Sequence, residues 1–154
     1  VEVTVANLTS FASTVTELFG YHTFSQTADE AIFQSVEGEI LGEIVALRQD
    51  GTNEKPGKGS IHHLAIRINN DEELAYWEQQ VRARGFLTAG IVDRYYFKSL
   101  YFREENGILF ELATDGPGFL VDGDVEHLGE QLDLPPFLQS RRAEIEADLK
   151  PIEE

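Results

Sequence analysis

No cysteine occurs among the 154 residues, which excludes disulfides and thiolate-held zinc or iron–sulfur clusters. Any metal must then be held by His, Asp or Glu, a donor set that favours iron, manganese, nickel, zinc or a hard cation. Positive charge is scarce: 12 Lys and Arg stand against 28 Asp and Glu, for a formal net charge of −16. A nucleic-acid binder needs a basic face to displace counterions from phosphate. None is visible, so no nucleic-acid partner is expected. No apolar run approaches the roughly 20 residues of a membrane span, so no membrane partner is expected. No basic stretch followed by an apolar one opens the chain as a secretory signal would, and a cytoplasmic location is the expectation. Met is also absent, position 1 included, and the chain opens at once on the strand-like run Val1-Glu2-Val3-Thr4-Val5. The expectation is a piece of a longer chain.

What is present is ordinary for a folded domain: 42% of the residues are hydrophobic, and the length can bury a sizeable core. Val1–Val5 alternates and is β-branched, as a strand should be. Asn7, Thr9 or Ser10 can cap a helix over Phe11–Phe19, where Phe11, Val15, Leu18 and Phe19 share a face and Gly20 stops the helix. Strand-like runs follow at Tyr21–Phe24, Ala31–Val36 and Glu43–Leu47, with Gly38 and Gly42 between the last two predicting a hairpin. Gln49–Ser60 is a breaker-rich linker. The order then repeats. Ser60–Ile68 reads as a strand, and Glu72–Arg84 as a helix capped by Asn69, Asn70 or Asp71 and ended by Gly85. Ile91–Val92 starts irregular or strand structure. Lys98–Glu104 and Ile108–Thr114 read as a hairpin turning at Asn106-Gly107. The prediction is an α+β chain of two tandem βαβββ modules, about 1–48 and 60–115, forming one domain over 1–115. A tail over 116–154 follows, with a turn at Gly116-Pro117-Gly118 and a charged helix over Gln139–Leu149. Leu138, Ile145 and Leu149 are expected to pack that helix onto the body.

Duplicated scaffolds repeat, whereas chemistry breaks the symmetry. Glu111, in the last strand of module two, aligns with Ala46 in module one, and His63 with a position at or just before Val1. Glu111 interrupts the apolar strand Ile108-Leu109-Phe110-Glu111-Leu112. A carboxylate buried there without a partner costs several kcal/mol, so it calls for a metal, a protonated His63 or Arg94. Facing water is the alternative. His62 and His63 fall on one strand, where successive side chains point to opposite faces. One is then a ligand and the other a neighbour, or the two form a structural pair. Asp93–Arg103 interleaves aromatics with Arg and Lys. It reads either as an aromatic-packed strand or as the wall of a pocket in which Arg94 and Tyr101 donate to ligand oxygens. His22 and His127 read as solvated, and neither a phosphate loop nor a nucleophile elbow is present.

Four blocks carry a resemblance: Gly59-Ser60-Ile61-His62-His63-Leu64-Ala65-Ile66-Arg67, Val92 to Glu104, Gly107 to Asp115, and Leu134-Pro135-Pro136-Phe137-Leu138. In this order they resemble the C-terminal half of the ring-cleaving dioxygenases of the glyoxalase/bleomycin-resistance/dioxygenase (vicinal oxygen chelate) superfamily, and most strongly the hydroquinone dioxygenases. The resemblance spans nearly the whole chain and is most specific from about Gly57 to Glu146. It implies the superfamily's curved mixed sheet and an Fe(II)- or Mn(II)-dependent extradiol-type dioxygenase that opens hydroquinone- or catechol-like rings with O₂. It also implies His63 and Glu111 as metal ligands, with His62, Arg94 and Tyr101 as groups that support the ligands or face substrate. A third ligand, a His near the start of the N-terminal half of such proteins, is expected from outside this chain, and a homodimer is expected. Two other activities share the scaffold: a glyoxalase-type metal isomerase or lyase, which needs a second catalytic carboxylate, and a non-enzymatic binding module of the bleomycin-resistance kind.

Overall fold

The computed structural model describes residues 1–38, 42–51 and 55–150. The tip of the hairpin expected between Gly38 and Gly42, the middle of the linker and the last four residues lie outside the described residues. Module one contributes β1 (Glu2–Val5), α1 (Leu8–Ser13), β2 (His22–Gln26), β3 (Glu30–Gln34) and β4 (Ile44–Arg48). Module two contributes β5 (Leu64–Ile68), α2 (Asp71–Ala83), β6 (Ile91–Asp93), β7 (Lys98–Arg103) and β8 (Leu109–Thr114). Each module folds its strands into a four-stranded mixed sheet of the same topology, in the orders β1-β4-β3-β2 and β5-β8-β7-β6. The first and last strands of each module run parallel and the other neighbours antiparallel. The two expected βαβββ modules are therefore present.

Helix α1 starts earlier than the sequence pattern predicted. The Asn7 side chain accepts the Ser10 N–H at 3.1 Å, which places the first helical residue, Leu8, three residues ahead of Phe11. Beyond Ser13 the helix widens into a π-turn over Thr14–Leu18. Two hydroxyls there bond back to carbonyls four residues earlier, Thr14 to Ser10 and Thr16 to Ala12, satisfying themselves along the helix. Helix α2 is capped by Asn70, whose side chain accepts the Glu73 N–H at 2.8 Å. Glu73 answers by accepting from the backbone and side chain of Asn69, and these bonds hold its carboxyl below the usual range.

A single core joins the modules. Leu8, Phe11, Val15 and Leu18 of the first helical segment are buried together with Phe33, Ile44, Leu74, Val81, Leu100, Phe102, Phe110 and Leu112. Rings make the junction: Phe19 lies 5.3 Å from Phe110, 6.0 Å from Phe102 and 5.7 Å from Trp77, centroid to centroid. The Asn106-Gly107 turn also docks on module one, since Asn106 accepts the Asn7 N–H at 2.8 Å and donates to the Asn7 carbonyl. In the tail, a 3₁₀ turn over Pro136–Arg141 leads into α3 (Arg142–Asp148), a later and shorter helix than predicted. Leu138 and Ile145 are half-buried, as expected of packing residues, but Leu149 is exposed, and Leu134 is the buried anchor instead.

Candidate active site

Helix α2 covers one face of the second sheet and leaves the other open. On β8, Phe110 and Leu112 point into the core while Leu109, Glu111 and Ala113 lie on the opposite face. Tyr101 on β7 stands directly across from Glu111, and Ala65 on β5 is across from Glu111 on its other side. Glu111 is nonetheless only 5% exposed. His63 supplies one partner, with Nε2 at 2.7 Å from Oε2. The Tyr101 hydroxyl supplies the other by donating to Oε1. Arg94, one of the three partners the sequence allowed, makes no hydrogen bond or ion pair with the carboxylate. Its Nε donates to the Ser99 hydroxyl at 3.3 Å, and its guanidinium lies over the Tyr101 ring, 5.7 Å from the centroid.

The two histidines correct the alternation argument. Strand β5 begins at Leu64, not Ser60: its ladder to β8 opens at the Leu64–Phe110 pair, so His62 and His63 precede the paired strand. Freed from strand alternation, His62 and His63 meet, with their Nδ1 atoms 2.8 Å apart and their rings at right angles. Both rings also stand edge-on to Tyr101, His62 at 6.4 Å and His63 at 5.5 Å. The structure thus brings His62, His63, Arg94, Tyr101 and Glu111 into one cluster. His22 and His127 are exposed and apart from it, and His127 pairs with Glu130 at 3.1 Å.

The equivalence of the modules also needs a one-residue correction. With the caps Asn7 and Asn70 matched, the pair Val3–Ala46 corresponds to Ile66–Leu112. Glu111 then matches Val45, not Ala46, Tyr101 matches Ile32, and His63 matches the position just before Val1. Ala46 is a core residue, and a carboxylate at its counterpart would point into the sheet's buried side. The symmetry break survives the correction, because module one has aliphatic side chains where module two has Glu111 and Tyr101.

Burial, the hydrogen bond to Glu111 and the negative charge of Glu111 together push the Tyr101 hydroxyl up to about 12, against a smaller opposing effect of Arg94. It therefore remains a proton donor at neutral pH. A cavity of about 370 Å³ opens beside Glu111 and Ala113, walled by Tyr96, Gly118 and Phe119. A larger hollow of about 530 Å³ touches Tyr101 but reaches neither Glu111 nor His63. Sequence reasoning missed Phe119 and Asp122. Asp122 accepts hydrogen bonds from both Tyr95 and Tyr96, and no local pattern marks that role across 26 residues of chain.

The donors fit a divalent metal. An imidazole nitrogen and a carboxylate oxygen suit Fe(II), Mn(II) or Zn(II). Two such ligands at about 2.1 Å and a right angle stand roughly 3 Å apart, close to the 2.7 Å observed between His63 and Glu111. Among the described residues no group of three His, Asp or Glu side chains has ligand spacing; His63 and Glu111 are the pair that could hold such an ion.

The sequence pattern of the Glyoxalase/Bleomycin resistance protein/Dioxygenase superfamily matches residues 1–112. The chain belongs to this superfamily. Among curated relatives, the Bacillus subtilis (strain 168) protein named "Putative ring-cleaving dioxygenase MhqA" is 48% identical over 99% of this chain and 50% of its own length. The chlorohydroquinone/hydroquinone 1,2-dioxygenase of Sphingobium indicum is 31% identical over 58% of this chain and 28% of its own length. A crystal structure titled as a "putative dioxygenase" of Bacillus subtilis superposes with a TM-score of 0.89 at 32% identity, over 99% of this chain and 49% of that one. The fosfomycin resistance protein FosX of Listeria monocytogenes, in a complex with Mn(II), shares the fold with a TM-score of 0.58 at 21% identity, over 73% of this chain and 86% of that one. The chain spans about half the length of the MhqA relative or less of the others. The chain therefore shares its fold with these two solved structures. Among the described residues no helix is long and apolar enough to cross a membrane.

Proposed function

We propose that this chain is the metal-bearing half of a ring-cleaving dioxygenase acting on hydroquinone-like aromatic substrates with O₂. One observation carries the reading: a buried carboxylate, Glu111, on the open face of a sheet, converging with His63 Nε2 at 2.7 Å. The relatives named as ring-cleaving and hydroquinone dioxygenases support the substrate class.

In this reading His63 and Glu111 hold Fe(II) or Mn(II), and a further ligand comes from outside this chain. When bound, the metal would supply Lewis acidity at this point. The remaining work falls to the chain's own side chains. His62 Nδ1 lies 2.8 Å from His63 Nδ1, so it fixes the orientation and tautomer of the His63 ring and leaves Nε2 free to act as a ligand. Tyr101 keeps its proton and directs it toward the Glu111 carboxylate, where it can donate to an oxygen of the bound ring. Arg94, held beside the Tyr101 ring and anchored on Ser99, adds positive charge on the side where negative charge develops. The open face next to Glu111 admits a flat ring between these groups, and fixing its orientation lowers the entropic barrier to attack.

The test uses the complete protein. Aerobic ring opening of hydroquinone, followed by oxygen uptake, should disappear in His63→Ala and Glu111→Ala variants. Full turnover in both would refute the assignment.

A further inference from the structure

One wall of the cavity beside Glu111 is built from elements far apart in sequence. Tyr96, on the turn between β6 and β7, stacks on Phe119 of the tail with centroids 5.0 Å apart and planes at 30°. Both rings line the cavity with Gly118, yet Phe119 is 64% exposed. An aromatic ring left so open at a cavity mouth is poorly explained by core packing.

Hydrogen bonds tie this wall together. Asp122 accepts from the Tyr95 hydroxyl at 2.7 Å on one carboxylate oxygen and from the Tyr96 hydroxyl at 2.9 Å on the other. The Gly118 N–H donates to the Tyr96 carbonyl at 2.7 Å, so backbone and side chains clamp the same tail segment. Tyr95 holds a left-handed φ of 72°, alone among the described non-glycine residues. Its N–H, donating to Asp93 at 2.7 Å, maintains this. Aromatic side chains rarely adopt that conformation, and such residues persist where the surroundings over-determine them, typically at ligand clamps. The conformation presents two adjacent tyrosines to one carboxylate.

We propose that Tyr96 and Phe119 form the wall that selects ring ligands by the size of their substituents, and that Asp122 is the positioning residue that holds this wall closed through Tyr95 and Tyr96. This deepens the reading of the site as one for hydroquinone-like rings and rests on it. The ligand it accepts is a flat aromatic with one polar end toward Glu111 and its edge against the two rings. The tyrosines keep their protons across the neutral range. The hydroxyl of Tyr96 is pushed up to about 12, first by desolvation and then by Asp122. That of Tyr95 is raised chiefly by its hydrogen bond to Asp122.

The experiment measures anaerobic binding of hydroquinone, methylhydroquinone and tert-butylhydroquinone to the complete, Mn(II)-loaded protein by calorimetry. Wild type is compared with Phe119→Ala, Asp122→Asn and Tyr96→Phe, and the melting temperature of each is recorded. Phe119 and Asp122 are exposed, so these substitutions leave the core intact. In Phe119→Ala the affinity for the tert-butyl compound relative to hydroquinone should rise roughly tenfold or more, the scale of pocket discrimination by a few carbons. Asp122→Asn should move the ratio the same way by a smaller factor. Tyr96→Phe keeps the ring and loses one bond to Asp122, and should move it least. Ratios unchanged in Phe119→Ala and Asp122→Asn, with wild type binding all three rings, would overturn the proposal. If Asp122→Asn lowered stability and all affinities together with the ratio fixed, its positioning role would fail. If wild type bound none of the rings, the reading of the site would fail and this inference with it.

Discussion

Removing one oxygen atom at Tyr101 probes the charge geometry on which the site rests. In Tyr101→Phe, Glu111 Oε1 loses its hydroxyl donor but keeps His63 on Oε2 at 2.7 Å. A hydrogen bond to a charged group contributes about 1.5–3 kcal/mol net. With a second partner retained and Tyr101 only part-buried, the lower end applies, about 1.5 kcal/mol. For a chain of this size that lowers Tm by roughly 3–6 °C. The pH dependence has a defined sign. Folding raises the Tyr101 hydroxyl from its ordinary value near 10 to about 12. Below about pH 10 both folded and unfolded chains keep the proton, and the contribution is complete. Between about 10 and about 12 the unfolded chain releases its proton first, so the contribution falls as pH rises. The fall is at most about 1.4 kcal/mol per pH unit, and smaller to the extent that water reaches the ring. The variant lacks this loss, so its deficit should shrink above about pH 10. Tyr95 and Tyr96, also raised, contribute equally to both proteins and cancel in the difference. Urea unfolding of chelator-treated wild type and variant from about pH 7 to about pH 11 reads both effects. Equal stability at neutral pH, or a deficit that stays constant or widens with alkalinity, would refute the reasoning.

Two further outcomes follow from the same contacts. Phe110 is fully buried and meets the rings of Phe11, Phe19 and Phe102, so Phe110→Ala should cost about 3–5 kcal/mol and lower the urea midpoint without changing which groups face the site. Mn(II) at about 100 times its Kd should stabilise wild type by about 2.7 kcal/mol, a rise of roughly 5–11 °C in Tm. Chelation should reverse the rise, and Glu111→Gln, which keeps the shape and loses the charge, should abolish it. A full upshift in Glu111→Gln would remove Glu111 from the ligand set.

The scaffold was legible because it rests on local rules. Alternating β-branched runs, Asn caps and glycine stops placed both helices and all the strands to within a few residues, and the repeat gave the two modules. Misplacements arose where tertiary pairing decides. His62 and His63 read as successive strand residues, but the ladder to β8 opens only at Leu64–Phe110, so both lie ahead of the paired strand. Outside the ladder they are free of strand alternation and can share one site. The early start of α1 turned on which of three possible caps the backbone used, and no local pattern marked the π-turn over Thr14–Leu18. Among site residues, Glu111 and His63 stood out by breaking the internal repeat, even though the match to Ala46 was one residue off. Phe119 and Asp122 carried no signal, since their partners on the Tyr95–Tyr96 turn are neighbours in space alone.

That broken repeat also bears on why a charge is buried here at all. Module one solves the same packing problem with Val45 and Ile32 where module two has Glu111 and Tyr101. The protein therefore contains its own apolar alternative, on an identical strand order, and the alternative folds. Replacing a buried ionic cluster with well-packed aliphatic residues is often neutral or stabilising by about 1–4 kcal/mol. Stability thus gives no reason to keep a carboxylate, a phenol and two imidazoles together on the second sheet. What the cluster supplies that Val45 and Ile32 cannot is directed donors and acceptors: an imidazole nitrogen and a carboxylate oxygen 2.7 Å apart, with a protonated hydroxyl on the far carboxylate oxygen. Two donors cannot make a closed coordination shell. Were they to hold a metal, as proposed above, positions would remain for a further protein ligand and for small molecules, as catalytic rather than structural metal sites require. The asymmetry between the modules is therefore evidence about chemistry, and it would remain so with every relative set aside.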